Sequence, residues 1–265
     1  MRLGLFDSGV GGLTVLKSVA ELCPNTSFVY LADTARLPYG SKNRSEIIEI
    51  ANEISSWFGK QNIDGFLVAC NTTNAIALDV IKNNLDVPVF DLIDSVASIV
   101  KDSRIGVLAT PSTVKTYAYT NAILDFNPKA FVIEQACPEF VPMIEINRIR
   151  SEEIRDFAIE YLKPILKENV QSLILGCSHY PLITPLLSTL IPSKIKLIDP
   201  ARALSLKVRS FIDSKINSFS KFEYPAYSRF CVTSDPFSFS KRANHWLNIF
   251  TEVELVTLQR KSWVS

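Results

Sequence analysis

Residues Ser172–Leu182 read SLILGCSHYPL, and residues Gly65–Ala75 read GFLVACNTTNA. Each is an apolar run of strand length, a small residue, a cysteine and then a polar turn. A second pair, RLGLFDSGVGG at Arg2–Gly12 and RIGVLATPSTV at Arg104–Val114, shares a basic residue, an apolar–Gly–apolar–apolar core and a polar turn into a helix. The pairs run in the same order, offset by 102 residues for the first strand and 107 from Cys70 to Cys177. One such match is common by chance. Two in order, with a cysteine at the same place, favour an internal duplication. The predicted object is two similar α/β domains, each presenting one cysteine at a strand end, with the ligand site in the cleft between them.

The rest of the chain fits that frame. Short apolar runs are expected as strands at Leu3–Phe6, Ser27–Ala32, Gly65–Ala69, Val87–Asp91, Arg104–Ala109, Ala130–Glu134, Ser172–Leu175, Lys196–Ile198 and Phe230–Thr233. Helices are expected at Gly11–Leu22, Arg44–Lys60, Thr73–Asn84, Ser95–Val100, Val114–Leu124, Ser151–Glu168, Leu182–Leu190, Pro200–Asn217 and Phe237–Ile249. Near-continuous apolar strands alternating with helices predict mainly parallel sheets covered on both faces, hence three-layer domains. Such sheets hold ligands at the carboxyl ends of their strands.

Composition narrows the class. The 265 residues are 47% hydrophobic and 21% charged, which is a globular profile. A formal net charge of +1 gives no electrostatic reason to expect nucleic acid or an anionic membrane as partner. No apolar run approaches a membrane span. The N-terminus enters a strand at once, with no cleavable leader, so the five scattered cysteines are expected as reduced thiols in a cytoplasmic protein.

The strand ends carry the chemistry. Cys70 precedes Asn71, Thr72, Thr73 and Asn74 at a helix start, where amides, hydroxyls and free N–H groups bind carboxylates or phosphates and lower a thiol pKa. A buried core cysteine before an ordinary N-cap is the plainer reading, and four consecutive polar residues weigh against it. Cys177 has His179, one of two histidines, two residues on. That pair admits a Cys–His nucleophile. It supplies only half of a zinc site, and no CxxC or HxxxH completes one. Asp7 and Ser8 end the first strand ahead of Gly9, Gly11 and Gly12, but the order is neither a dinucleotide fingerprint nor a P-loop. Pro38-Tyr39-Gly40 forms a rigid turn able to bring backbone N–H groups to a ligand, or a plain surface loop. Glu145, after a Pro-rich stretch expected to be irregular, passes in isolation for a surface acid. Two thiols on opposite sides of a small anionic ligand suit disulfide exchange or two-base proton transfer at carbon. Redox pairs normally sit close together, often as CxxC. In two-base transfer one thiolate removes hydrogen from a stereocentre and the opposite thiol returns one to the other face, inverting it.

FDSGVGGLTVL, PYGSK, ACNTTNA, CPEFVPMIE and LGCSHYPL, in this order, resemble the glutamate racemases of the aspartate/glutamate racemase family. The resemblance implies a cofactor-independent, metal-free isomerase acting on glutamate and making D-glutamate for peptidoglycan, the cell wall and cell shape. It implies a cytoplasmic homodimer. It also implies two pseudo-symmetric domains: 1–97 plus 208–265, carrying Asp7 and Cys70, and 98–207, carrying Glu145, Cys177 and His179. Carried over residue by residue, Cys70 and Cys177 are the proton donor/acceptors, Cys70 acting on D-glutamate and Cys177 on L-glutamate. Asp7 and His179 assist, and Glu145 supports His179. Asp7, Ser8, Pro38, Tyr39, Gly40, Asn71, Thr72, Thr73, Ser178 and His179 line the substrate, with Thr110 and Thr113 as a further hydroxyl-bearing loop. The thiols are expected to be uncharged in the free enzyme, the substrate ammonium helping one ionise. The family commonly has Thr where Ser178 stands, and Ala followed by Ser or Thr where Thr73 and Asn74 stand. The alternatives are an aspartate racemase of the same group, a Cys–His hydrolase using Cys177 alone and a non-catalytic binding module.

Overall fold

The structure, a computed structural model, describes residues 1–216, 228–247 and 252–259. In the first half, β1 (Arg2–Asp7), α1 (Gly12–Leu22), β2 (Ser27–Ala32), α2 (Arg44–Phe58), β3 (Gly65–Val68), α3 (Asn71–Asn84), β4 (Val89–Asp91) and α4 (Leu92–Ala97) alternate. The second half repeats the pattern with β5 (Arg104–Ala109), α5 (Pro111–Val114), α6 (Ala118–Phe126), β6 (Phe131–Ala136), α7 (Phe140–Glu145), α8 (Glu152–Lys167), β7 (Ser172–Gly176), α9 (Thr184–Leu190) and β8 (Lys196–Ile198). Helix α10 (Pro200–Ile216) follows, then β9 (Arg229–Val232), α11 (Pro236–Leu247) and β10 (Val253–Leu255).

The strands of the described residues form two wholly parallel sheets, ordered β10-β9-β2-β1-β3-β4 and β6-β5-β7-β8. Strip the two C-terminal strands from the first sheet and the orders coincide. The registers coincide too. Leu3 pairs with Gly65 and Ile105 with Ser172, while Arg2 pairs with Ser27 and Arg104 with Phe131. Cys70 and Cys177 therefore leave equivalent central strands at equivalent heights, as the duplication predicts.

Each sheet is buried on both faces because its strands carry apolar residues at nearly every position. Leu3, Leu5, Tyr30 and Leu67 pack under α1, α10 and α11, while Phe6, Leu31, Phe66 and Val68 pack under α2 and α3. In the second half Leu108, Leu173 and Leu175 face α7, α8 and α9, and Ile105, Val107 and Ile174 face α4 and α6. Burying each Leu or Phe contributes ~1.5–3 kcal/mol, which fixes the strand register and hence the strand-end residues.

Several expectations need correction. The helix after Cys70 begins at Asn71, not Thr73, because Cys70 itself is the extended N-cap. The helix expected at Ser95–Val100 starts at Leu92, where the Asp91 carboxylate caps it by accepting the Asp94 N–H at 2.8 Å. The segment Val114–Leu124 is two helices, broken at Tyr117, whose φ of 54° is left-handed. The stretch expected to be irregular before Glu145 is helix α7, with Pro142 in the first turn, where a missing N–H costs nothing. Strand β10 was not anticipated; its three residues sit at the sheet edge. The expected ends of the last two helices, Asn217 and Ile249, lie outside the described residues, as do parts of the 208–265 segment assigned to the first domain. Among the described residues, no helix is long and apolar enough to cross a membrane.

Candidate active site

The two halves meet through the turns that follow β1, β3, β5 and β7. Asp7, fully buried at the end of β1, accepts the Gly9 N–H on Oδ1 at 2.8 Å and the Ser178 hydroxyl on Oδ2 at 2.8 Å. Its neighbour Ser8 is buried as well. His179, 1% exposed, places Nδ1 3.9 Å from Cys177 Sγ and 3.5 Å from Ser178 Oγ, and Nε2 2.7 Å from Glu145 Oε1. The same Glu145 oxygen accepts the Val10 N–H at 3.3 Å, and its other oxygen lies 3.5 Å from Arg242 Nη1 on α11. Glu145 is thus not the solvated surface acid its local sequence suggests. It is a half-buried bridge between the halves.

The glycines after β1 serve close approach rather than phosphate binding. A Cβ on Gly11 would lie 2.3 Å from His179 Nδ1, one on Gly9 2.6 Å from Glu145 Oε1, and one on Gly40 2.7 Å from Thr110 Cβ.

A second contact zone lies on the Cys70 side. The Thr72, Thr110 and Thr113 hydroxyls form a buried cluster, with Thr72 to Thr110 and Thr110 to Thr113 both 2.9 Å. Tyr119 donates its hydroxyl to Asn71 Oδ1 at 2.6 Å, leaving the Asn71 amide N–H groups as donors. Ser112 Oγ lies 2.8 Å from the Gly40 and Lys42 carbonyls, fastening the Tyr39-Gly40 turn to the second half. Tyr39 is buried and donates its hydroxyl to Asp33, which also receives Arg36 Nε at 2.6 Å and Thr233 Oγ1 at 2.7 Å. Pro38 is exposed and lines a cavity with Gly40, Thr110 and Cys137. The Thr73 hydroxyl is buried beside the Cys70 thiol.

All five cysteines are free and buried; Cys70 is 4% exposed and Cys177 5%. Burial, joined by the charge of Asp7, pushes the Cys70 thiol up to about 12, with the Thr73 hydroxyl and N–H opposing. Cys70 is therefore a thiol at neutral pH, and burial overrides the lowering expected from the helix start. Burial raises Asp7 too, against the nearby His179. Burial would lower His179, but its bonds to Cys177 and Glu145 outweigh that and hold it well above its ordinary value. Glu145 is held below its ordinary value, since His179 and Arg242 outweigh its burial. One side of the cleft thus offers a protonated thiol, and the other a thiol beside a cationic imidazole. Such a pair can give and take protons across a substrate. Among the described residues, no group of three or more His, Cys, Asp or Glu is placed to hold a metal ion.

The structure brings together Asp7, Ser178, His179, Glu145 and Cys177, and separately Asn71, Thr72, Thr110 and Thr113. Asp33, Ser112, Tyr119 and Arg242 were missed. Asp33 had a signal, an acid directly after a buried strand. The other three reach the site only through folding.

A family model described as Asp/Glu/Hydantoin racemase matches residues 8–206. A glutamate racemase of Prochlorococcus marinus (strain NATL1A) is 67% identical over 265 residues, covering 100% of both chains. One from Synechococcus sp. (strain CC9605) is 44% identical over 258 residues, 97% of each. Among solved structures, glutamate racemase from Francisella tularensis in complex with D-glutamate matches with a TM-score of 0.90 and 34% identity, covering 97% of this chain and 98% of that one.

Proposed function

Because the chain belongs to the Asp/Glu/Hydantoin racemase family and is an amino-acid racemase of the glutamate racemase group, we propose that it interconverts L- and D-glutamate by proton transfer between Cys70 and Cys177. The observation that carries this reading is the pair of buried thiols at equivalent strand ends of two duplicated halves. L-glutamate binds with its Cα–H toward Cys177. The thiolate takes that proton, and the Cys70 thiol delivers its own to the opposite face. In the reverse direction the roles exchange. No electrons leave the substrate, and the enzyme recovers its starting protonation by trading thiol protons with solvent.

The other groups follow from their positions. The α-hydrogen is a very weak acid, so positioning and preorganised dipoles must lower the barrier. The His179 imidazolium lies beside Cys177, while burial and Asp7 keep Cys70 a proton donor. The Asn71 amide, with Ser8 and Thr72, hydrogen-bonds the substrate carboxylates, Ser178 joins them by turning its hydroxyl from Asp7 to the substrate, and the substrate ammonium helps the thiol that must ionise. Tyr39, Gly40, Thr73, Thr110 and Thr113 shape the wall, with Pro38 setting the turn. The D-glutamate made feeds peptidoglycan, and the chain works as a cytoplasmic homodimer in two domains divided near residues 97 and 208.

Optical rotation of L-glutamate and L-aspartate, with wild type and the single variants Cys70→Ser and Cys177→Ser, tests the reading. Glutamate should be the better substrate and each variant should lose at least about a thousandfold, the scale of removing an acid/base from a site. A Cys–His hydrolase would survive Cys70→Ser, and faster aspartate turnover would make the chain an aspartate racemase.

A further inference from the structure

The bridge at Glu145 ends on a residue that the mechanism above does not use. Helix α11 belongs to the first half, packs on α1 and carries Arg242, whose Nη1 lies 3.5 Å from Glu145 Oε2. The other Glu145 oxygen holds His179 Nε2 at 2.7 Å, and the far side of that ring faces Cys177 Sγ at 3.9 Å. Arg242, Glu145, His179 and Cys177 therefore form one chain of contacts from the C-terminal helix to a reacting sulfur. Arg242 Nε is itself buried without a hydrogen-bond partner among the described residues, so this guanidinium has donors to spare toward Glu145. We infer that Arg242 is a positioning residue: it holds the Glu145 carboxylate aimed at His179, and so couples the placement of α11 to the imidazole that faces Cys177.

Charge makes the direction definite. Two cations share one half-buried carboxylate, with side-chain exposures of 31% for Arg242 and 11% for Glu145. Removing Arg242 lets the Glu145 pKa rise, and a protonated Glu145 no longer favours imidazolium at His179. The other titratable groups nearby are Tyr30, which faces Glu145 and Asp7; Asp7, which faces His179; and Asp235, which faces Arg242. Asp7 keeps its own partners, Gly9 and Ser178, when Arg242 changes. Burial holds the Tyr30 hydroxyl neutral.

The proposal rests on the racemase reading, and its test separates the two. For Arg242→Gln, the acid limb of the kcat–pH profile should move up by roughly half to one unit, a three- to tenfold loss at pH values on that limb below the wild-type midpoint, with the alkaline plateau nearly kept. Arg242→Lys should stay near wild type. In an Glu145→Gln background the Arg242→Gln change should add less than about twofold, since both act through one carboxylate. An unmoved acid limb, or a full additional loss in the double variant, overturns the inference. Because the chain has two histidines, His245→Gln assigns the ring N–H resonance of His179 in a proton NMR spectrum taken without substrate. That resonance should shift in Arg242→Gln and hold in Arg242→Lys. If glutamate is not racemised the functional reading fails, while this spectrum still decides whether Arg242 reaches His179; an unshifted resonance says it does not.

Discussion

Gly11→Ala separates what the backbone wants from what the site needs. Gly11 is the N-cap of α1 with φ −57° and ψ −39°, a conformation any residue adopts. In helical conformation alanine is preferred to glycine by up to ~1 kcal/mol, so the backbone alone predicts a neutral or stabilising change. The new Cβ, however, would stand 2.3 Å from His179 Nδ1 and 2.4 Å from Ser178 Oγ, where ordinary contacts are 3.4–4 Å. Neither group yields freely. His179 is tied to Glu145 at 2.7 Å, and Ser178 to Asp7 at 2.8 Å. Overpacking of this kind costs ~1–3 kcal/mol, or about 2–4 °C of Tm per kcal/mol for a chain of this size. The catalytic penalty should be larger, because a displacement of ~1 Å at a reacting pair costs on the order of 100-fold. The assay is the initial rate of optical-rotation loss from D-glutamate, normalised to protein folded by circular dichroism. Gly106→Ala is the control. Its Cβ would crowd Ile165 Cγ2 at 2.9 Å, inside the second half's core, so it should cost stability and leave kcat within about threefold. A folded Gly11→Ala enzyme with kcat within about threefold of wild type would refute the placement of His179 and Ser178 at the reacting centre.

Two further outcomes follow from the polar contacts. His179 has a pKa raised on folding, so its contribution is fully present below its unfolded value of about 6.5 and fades as pH rises through the higher folded value. The loss of urea stability in His179→Gln should therefore be larger at pH 6 than at pH 10; a loss that grows with pH would contradict the charged pair. Tyr119→Phe removes the hydroxyl that Asn71 Oδ1 accepts at 2.6 Å, freeing the amide to turn. The KM for glutamate should rise roughly five- to tenfold, about 1–1.4 kcal/mol, with the pH profile unchanged. An unchanged KM would remove Asn71 orientation from the account.

Much of this was legible in the sequence because the duplication repeats both the strand and its exit. The apolar runs ending at Cys70 and Cys177 located both thiols, and nearest-neighbour spacing alone placed His179 beside the second. The Glu145 environment was not legible. Its burial depends on Gly9, which lets the two halves close to contact, and on Arg242, brought back by a C-terminal helix 97 residues later in the chain. Tyr119 and Ser112 were hidden for the same reason: each sits in the second half and bonds the first. The helix break at Tyr117 escaped because periodicity does not register one left-handed residue. Local pattern reports strands and their ends, whereas contacts across a cleft depend on how two folded halves meet.

The two-thiol mechanism is tested most directly by turning over L-glutamate in heavy water and sampling both enantiomers early. If Cys177 removes the proton and Cys70 supplies one from its solvent-exchanged thiol, the first D-glutamate formed carries deuterium at Cα while the remaining L-glutamate carries none. Deuterium entering both enantiomers at equal rates would mean a single base serving both faces, and D-glutamate free of deuterium would mean the same proton is returned. Either result would contradict the account.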